Sequence, residues 1–440
     1  MNILLVNLHS SWNAGDDALT TEALRQLSGQ FPGATFRLAM NDPESYRGPG
    51  QALGSFTTWV KPIVMDRAAS PWRWGAFPGL ALRSLMALVG YRLMGRPWTF
   101  RLSEGRRSLL EAYLGADLVV SAAGNFLYSS GRVGLPFLLA LFAIYFAQLT
   151  GKPVYTLPQT LGPIQRGREQ WLAKRILSRV RVVMIRDPIS VGVWQDWDVR
   201  GPQWILLPDL AFARPAEGER QEATALLEEF GLSEREEEPR LGITLIHWGA
   251  QSRTFDHQSR YEEAVEAAIR DFLHAQPQGR AVLFAQVQGP TAAEDDRIPA
   301  RRVLARLGDL AGRVTLVDRW VPYPVLKAAY GQMDLLLGTR LHSNIFALTE
   351  GVPVAAIGYQ YKTRGVMRML DMEDWVLDIE RVDRDSLVSL LHEAWEDRTR
   401  TRAHLNGVLP LVREQSSGAG ALIAADFRRL TDLSRGRGTP

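Results

Sequence analysis

A chain of 440 residues is too long for one ordinary hydrophobic core, so two domains are the default reading. Its 51 basic and 48 acidic side chains leave a net charge of only +3, and no Lys/Arg block suggests a nucleic-acid arm. Cysteine is absent, which excludes disulfides, thiolate metal sites and a cysteine nucleophile, and suits a reducing cytoplasm.

The opening "MNILLVNLHS" runs straight into a strand-like stretch with no charged leader, so no signal peptide is expected. Strand-like runs follow at 117–123, 153–158, 182–186 and 204–208, with helical stretches at 17–29, 135–149 and 168–180. The charge-free run at 133–151 approaches spanning length, but Pro136, Gln148 and Thr150 interrupt it and it reads as a buried helix. A second series of strands is expected at 241–248, 281–287, 314–318, 334–338 and 353–359. Helices near 259–275, 296–310, 322–331 and 384–396 fit between them.

This alternation predicts an α/β chain of two Rossmann-like, doubly wound parallel-sheet domains facing a cleft. The expected division is 1–214, an acidic helix-containing linker at 215–239, 240–400, and a C-terminal helix or tail at 401–440. One segment breaks the pattern. Residues 67–103 hold six arginines and no acid, mixed with Trp72, Trp74, Phe77, Tyr91, Trp98 and Phe100. Such an insertion either packs on the first domain with a solvated basic rim or lies on a membrane surface.

Candidate functional residues sit where strands end. After the first strand, "SSWNAGDDAL" offers Asn13, Gly15 and Asp16, either as a capped βα turn with Asp16 or Asp17 as the cap, or as a cleft-facing loop. In "AAGNFLYSSG", Gly124 and Asn125 allow close backbone approach before an expected helix N-terminus. "LPQTLGPI" reads as a stiff loop presenting Gln159, and "IRDPIS" places Arg186 at a strand end. There it is either an ion-paired residue or an anion clamp.

The densest constellation is "GTRLHSNIFALTEGVPVAAIGYQYKTRG", with Arg340, His342, Asn344, Glu350, Tyr359, Lys362 and Arg364. Thr339 or Ser343 is placed to cap the helix that follows, whose N-terminus would join the three cations at one focus. That arrangement predicts a small polyanionic ligand. Glu350 is either a helix-end residue or a partner for a ligand hydroxyl. The remaining histidines show no metal-ligand spacing, so no metal site is expected.

Taken together, "NAGDDAL", the Gly-Asn turn, "LPQTLGPI", "IRDPIS", "LPDLAF" and the Arg-x-His block resemble the polysaccharide pyruvyl transferase family, in matching order from about residue 2 to 400. The resemblance implies a GT-B-like fold and transfer of pyruvate from phosphoenolpyruvate, as co-substrate and without a further cofactor, onto a sugar of a cell-surface glycan as a ketal. By position it implies that Arg340 and Arg186 clamp phosphoenolpyruvate and His342 is the general acid. Lys362 and Arg364 then stabilise the leaving phosphate, while Asp16 and Asn13 orient or deprotonate the acceptor hydroxyl. Gly15, Gly124, Asn125, Gln159, Ser343 and Glu350 complete the expected substrate-binding set.

Two features depart from the family's pattern: Ala122, Ala123, Gly124 and Asn125 stand where many relatives carry a glycine run, and the 67–103 insertion is large. The insertion suits a lipid-linked acceptor and a cytoplasmic protein at the inner face of the cell membrane. A nucleotide-sugar glycosyltransferase of the same fold, with Glu350 on the ribose, is the alternative. A non-catalytic glycan-binding scaffold is the third, and the cation cluster argues against it.

Overall fold

The computed structural model describes residues 1–65, 76–129, 134–165, 167–232, 238–252, 255–289 and 291–436. Residues 67–75 of the expected insertion, with Trp72 and Trp74, lie outside the described residues.

The first sheet contains β1 (Asn2–Leu8), β2 (Thr35–Met40), β3 (Gln51–Gly54), β4 (Leu118–Ser121), β5 (Gly124–Ser129), β6 (Val154–Ile164), β7 (Val182–Ile185) and β8 (Gln203–Leu206). Its order is β3-β2-β1-β4-β6-β7-β8, with β5 alongside β6, and every pairing is parallel. The second sheet contains β9 (Arg240–Thr244), β10 (Arg280–Phe284), β11 (Val314–Val317), β12 (Leu335–Gly338), β13 (Val354–Gly358) and β14 (Val376–Asp378). It runs β11-β10-β9-β12-β13-β14, the doubly wound order whose reversal leaves a crevice beyond the carboxyl ends of β9 and β12.

Burial on both faces explains the uninterrupted apolar strands. In β1, Ile3 and Leu5 enter one apolar cluster while Leu4 and Val6 enter the cluster on the opposite face. The Ile3–Leu5 cluster continues through Phe346 into Val282 and Phe284 of the second sheet, so the two halves share a core.

Two expected loops are different in the structure. "LPQTLGPI" is the second half of β6, so Gln159 lies fully buried inside a sheet rather than on a loop. Pro158 is tolerated because the register with β7 shifts between Thr156 and Gln159. After Gly124 no helix N-terminus follows. Gly124 adopts φ 150°, a conformation that suits glycine alone, and the chain continues as β5, with the helix delayed to Leu135.

The C-terminal stretch, expected as a helix or tail, is helical through Gly436 and returns to the first sheet. Helix Arg398–Ser416 ends beside the linker, and helix Ala419–Gly436 packs on helix Ala14–Gln30. Gln26 fastens the crossing, donating to the Ser416 carbonyl at 2.9 Å and accepting from the Gly420 amide at 3.1 Å. Further along, Asp426 takes two bonds from Arg181 and one from the buried Tyr155 hydroxyl. Burial pushes the Asp426 carboxyl up, but Arg181 and Tyr155 outweigh it and hold it below its usual value.

Asp426→Ala leaves the Tyr155 hydroxyl without its acceptor and is expected to cost about 2 kcal/mol in urea unfolding at pH 7. Because the folded carboxyl is depressed, the stabilisation is present above the unfolded pKa and fades as pH falls through the folded one. The gap between variant and wild type therefore narrows in acid, and a pH-independent gap would refute the assignment.

Candidate active site

β12 ends at Gly338, and the chain turns into helix Leu341–Thr349 with Arg340 as an extended N-cap residue (φ −76°, ψ 130°). That turn sends Arg340 and His342 in different directions. The Arg340 guanidinium stays in the second domain and pairs with the fully buried Asp296, Nη2 to Oδ1 at 2.6 Å, with Nε also bonded to the carboxylate. His342 crosses to the first domain and lies against Gly15, where a Cβ would overlap the imidazole. The glycine is needed there for close approach.

Behind His342 stands Asp209, whose Oδ2 lies 3.8 Å from Nε2. Asp209 caps the 3-10 turn Leu210–Phe212 and accepts the Ala211 amide at 2.9 Å. Its Oδ2 also takes Nη1 of Arg186 at 2.7 Å. Arg186 is 1% exposed and donates its Nε to the Thr160 hydroxyl. Burial alone would raise the Asp209 carboxyl, but Arg186 and His342 hold it below its usual value. Burial pushes His342 below its ordinary value, Asp209 pulls it back and Arg186 opposes that, leaving the imidazole neutral at pH 7.

Neither arginine is therefore the free clamp that its strand-end position suggested. Each has its own buried carboxylate, because an unpaired charge in such a place costs several kcal/mol. Arg364 also turns away, to Glu373 at 3.3 Å and the Val376 carbonyl at 3.2 Å. Lys362 does face the site, with Nζ 5.1 Å from the centre of the Tyr359 ring. Burial raises that phenol, but Lys362 and Arg340 outweigh it and hold the group below its usual value.

Ser343 is committed elsewhere. Its hydroxyl bonds the Arg340 carbonyl and Thr244 Oγ1, each at 2.7 Å, so it does not present itself to a ligand. Neither Thr339 nor Ser343 caps the helix. No side chain does, and its first-turn amides are left at the crevice. Glu350 is placed apart. It sits at the far end of that helix, about 12 Å along the axis from His342, and accepts the Ala216 amide at 2.7 Å.

On the first domain, the helix begins at Ala14 and its cap is Asn13, not Asp16 or Asp17. Asn13 Oδ1 accepts the Gly15 amide at 3.0 Å, and its Nδ2 donates to Asp16 Oδ2 at 2.9 Å. Asn125 reaches across the seam, Nδ2 to Gln360 Oε1 at 2.9 Å. Several buried polar atoms at this seam make no hydrogen bond among the described residues: His342 Nε2, Gln159 Oε1, Asn125 Oδ1 and Tyr361 OH. Their concentration is what a polar ligand site leaves behind.

A family model for polysaccharide pyruvyl transferases matches residues 13–361, which include Arg186, Asp209, Asp296 and His342. The chain belongs to the polysaccharide pyruvyl transferase family. Family members are transferases, and Lys362 and Arg364 fall just beyond the matched span. The amylovoran biosynthesis protein AmsJ of Erwinia amylovora is 25% identical over 264 residues, 55% of this chain and 58% of that protein's length.

Three solved structures share the GT-B-like fold at identities that speak for the fold alone. HepE of Anabaena, in complex with UDP and glucose, is 13% identical with a TM-score of 0.56, over 98% of this chain and 100% of that one. Trehalose-6-phosphate synthase OtsA is 10% identical with a TM-score of 0.57, over 97% and 98%. UDP-GlcNAc 2-epimerase of Neisseria meningitidis, bound to UDP-GlcNAc, is 10% identical with a TM-score of 0.53, over 98% and 100%.

Sequence reading missed Asp209 and Asp296 as partners. The available signal was indirect: "LPDLAF" and "EDDRIPA" both put an aspartate before a helical turn, beyond an apolar run. Asp209→Asn removes the larger of the two influences that raise His342, the other being Asp16, so the C2–H titration midpoint of His342 is expected to fall further. It also leaves Arg186 buried without a counter-charge, which costs about 3 kcal/mol in urea unfolding. An unchanged histidine midpoint would show that the 3.8 Å approach carries no electrostatic weight.

Proposed function

We propose that this chain transfers the pyruvyl group of phosphoenolpyruvate to a sugar of a cell-surface or lipid-linked glycan, forming a cyclic ketal. The observation that carries this reading is the His342 imidazole at the domain seam, 3.8 Å from Asp209, which is itself paired with Arg186. Family membership supports the group transferred. The donor's anionic groups meet Lys362, the first-turn amides of helix Leu341–Thr349, and Arg340 Nη1, which Asp296 does not engage.

In the proposed reaction, a proton reaches the methylene carbon of the donor, making it a methyl group and leaving an oxocarbenium-like centre at C2. One sugar hydroxyl attacks that centre, phosphate leaves with its electron pair, and a second hydroxyl closes the ketal. The two hydroxyl protons balance the proton spent on carbon and the one carried off by phosphate. A bound dianion beside His342 raises its proton affinity, so donor binding charges the imidazole that then delivers the proton. Asp16, held by Asn13, is the carboxylate on the acceptor side, and Asn125 and Gln159 offer unpartnered oxygens to hydroxyl groups.

A nucleotide-sugar transferase would use Glu350 for the ribose, yet that carboxylate is already taken by Ala216. Phosphoenolpyruvate is expected to raise the melting temperature, while UDP- and GDP-sugars do not. Stabilisation by a nucleotide sugar alone would sink the proposal. His342→Ala is expected to keep the phosphoenolpyruvate shift and lose turnover by about a hundredfold or more. Arg340→Ala loses both, and it also leaves the buried Asp296 carboxyl without its counter-charge.

The acceptor side suggests a lipid-linked substrate at the inner membrane face. Helix Ala76–Met94 buries Leu80, Ser84, Ala87 and Leu88, while Leu82, Leu85, Met86, Val89 and Leu93 form an exposed apolar stripe on its other side. Trp98 and Phe100 continue that surface, and the only charges along it are arginines. No helix among the described residues is long and apolar enough to cross a membrane, so the contact is peripheral. The chain is expected to float with phosphatidylglycerol vesicles, and a Leu85→Glu, Leu93→Glu variant to stay in solution with its phosphoenolpyruvate shift intact. Equal flotation of both would remove the membrane from the proposal.

A further inference from the structure

Two tryptophans stand at the mouth of the seam, one from each domain. Trp12 follows β1 and Trp320 follows β11; their rings meet edge to face, with centroids 6.1 Å apart and planes at 82°. They remain 41% and 42% exposed. Indole surface left in water beside a cleft has a transfer cost that a partner would remove.

The pair is also held in place by backbone. Residues 286–288, beyond β10, meet the loop after β1 through an antiparallel bridge between Asn13 and Val287. The Gln288 amide donates to the Trp12 carbonyl at 3.3 Å, and its side chain donates to the Arg319 carbonyl at 2.6 Å. One residue thus fixes the chain on both sides of the seam, at Trp12 and next to Trp320. Rings fixed this way bind with little further loss of conformational entropy.

Their position relates them to the site. Trp12 precedes the helix cap Asn13 and is three residues from Gly15, which touches His342. Three residues of chain reach at most about 11 Å. Beside Trp12, Asn13 and Asp16 form a polar edge that His9 approaches to 3.9 Å. An apolar aromatic face next to a carboxylate, an amide and an imidazole matches a pyranose, which has a C–H face and a rim of hydroxyls.

We propose that Trp12 and Trp320 form a saccharide-stacking platform that takes a pyranose ring of the acceptor, at the cleft mouth beside the ring that receives the pyruvyl group. It rests on the transferase reading for that acceptor's role, but the binding itself is measured without turnover. Since one ring comes from each domain, the platform exists only when the seam is closed. Acceptor binding and domain closure therefore favour each other.

The test is saturation-transfer NMR with methyl glycosides of a hexose, an N-acetylhexosamine and a hexuronate at tens of millimolar. Wild type is expected to saturate the ring C–H protons of one pyranose face in at least one glycoside. Trp12→Ala and Trp320→Ala each reduce that signal about five-fold, and Trp12→Phe and Trp320→Phe largely retain it. The phosphoenolpyruvate melting shift is expected to persist in the Phe variants and reports that the donor site is intact. No saccharide signal from wild type overturns the platform, as does an unchanged signal in the double Ala variant. Loss of vesicle flotation in the Phe variants with no saccharide signal would also overturn it, assigning the pair to a lipid surface. If phosphoenolpyruvate fails to shift wild type while the tryptophan-dependent saccharide signal is present, the donor reading fails and the platform stands.

Discussion

Arg186 has almost no contact with water, and a guanidinium in that position needs a counter-charge at bonding distance. Asp209 provides it from 23 residues further along the chain, at 2.7 Å, with Thr160 and the Ala211 amide taking up further bonding capacity. This pair fixes a carboxylate at the point where His342 arrives from the other domain. The charge that sets the histidine's proton affinity thus belongs to the first sheet, while the histidine belongs to the second. The proton affinity of His342 and the domain arrangement are coupled through that approach.

The same constraint governs Arg340. Its pairing with Asp296 looks like a loss of binding power, yet it fixes the plane of the guanidinium. Burial holds Asp296 up at about 6 against the pull of Arg340 and the Val287 amide.

How much of this was legible in the sequence depends on the range of the interaction. β1 and the helices Leu135–Leu149 and Arg384–Glu396 coincide with their apolar runs and helical periodicity, since local burial writes both patterns. β2 and β3 were not read as strands because they lie at the sheet edge, where burial is partial and the apolar pattern weak. β5 was mistaken for a turn leading into a helix, because Gly124 opens a strand through a backbone state that composition does not reveal. The site's residue types were readable from "GTRLHSN", but not their pairings. Arg340 finds its acid 44 residues away and His342 finds its own in the other domain, and no local spacing encodes either.

The connection between the domains carries the same dependence outward. The turn that holds Asp209 is gripped from the second domain by Lys327, which donates to the Ala211 carbonyl at 2.9 Å and to the Arg214 carbonyl. Ser416 donates to the Asp209 carbonyl at 2.7 Å, just before the last helix crosses back. Glu350 secures Ala216 one step further along the linker. Parting the seam acts on His342 in opposed ways: water returns and Arg186 recedes, which raise its proton affinity, while Asp209 and Asp16 recede, which lowers it. Burial is the largest of these influences, so closing the seam lowers the imidazole's proton affinity.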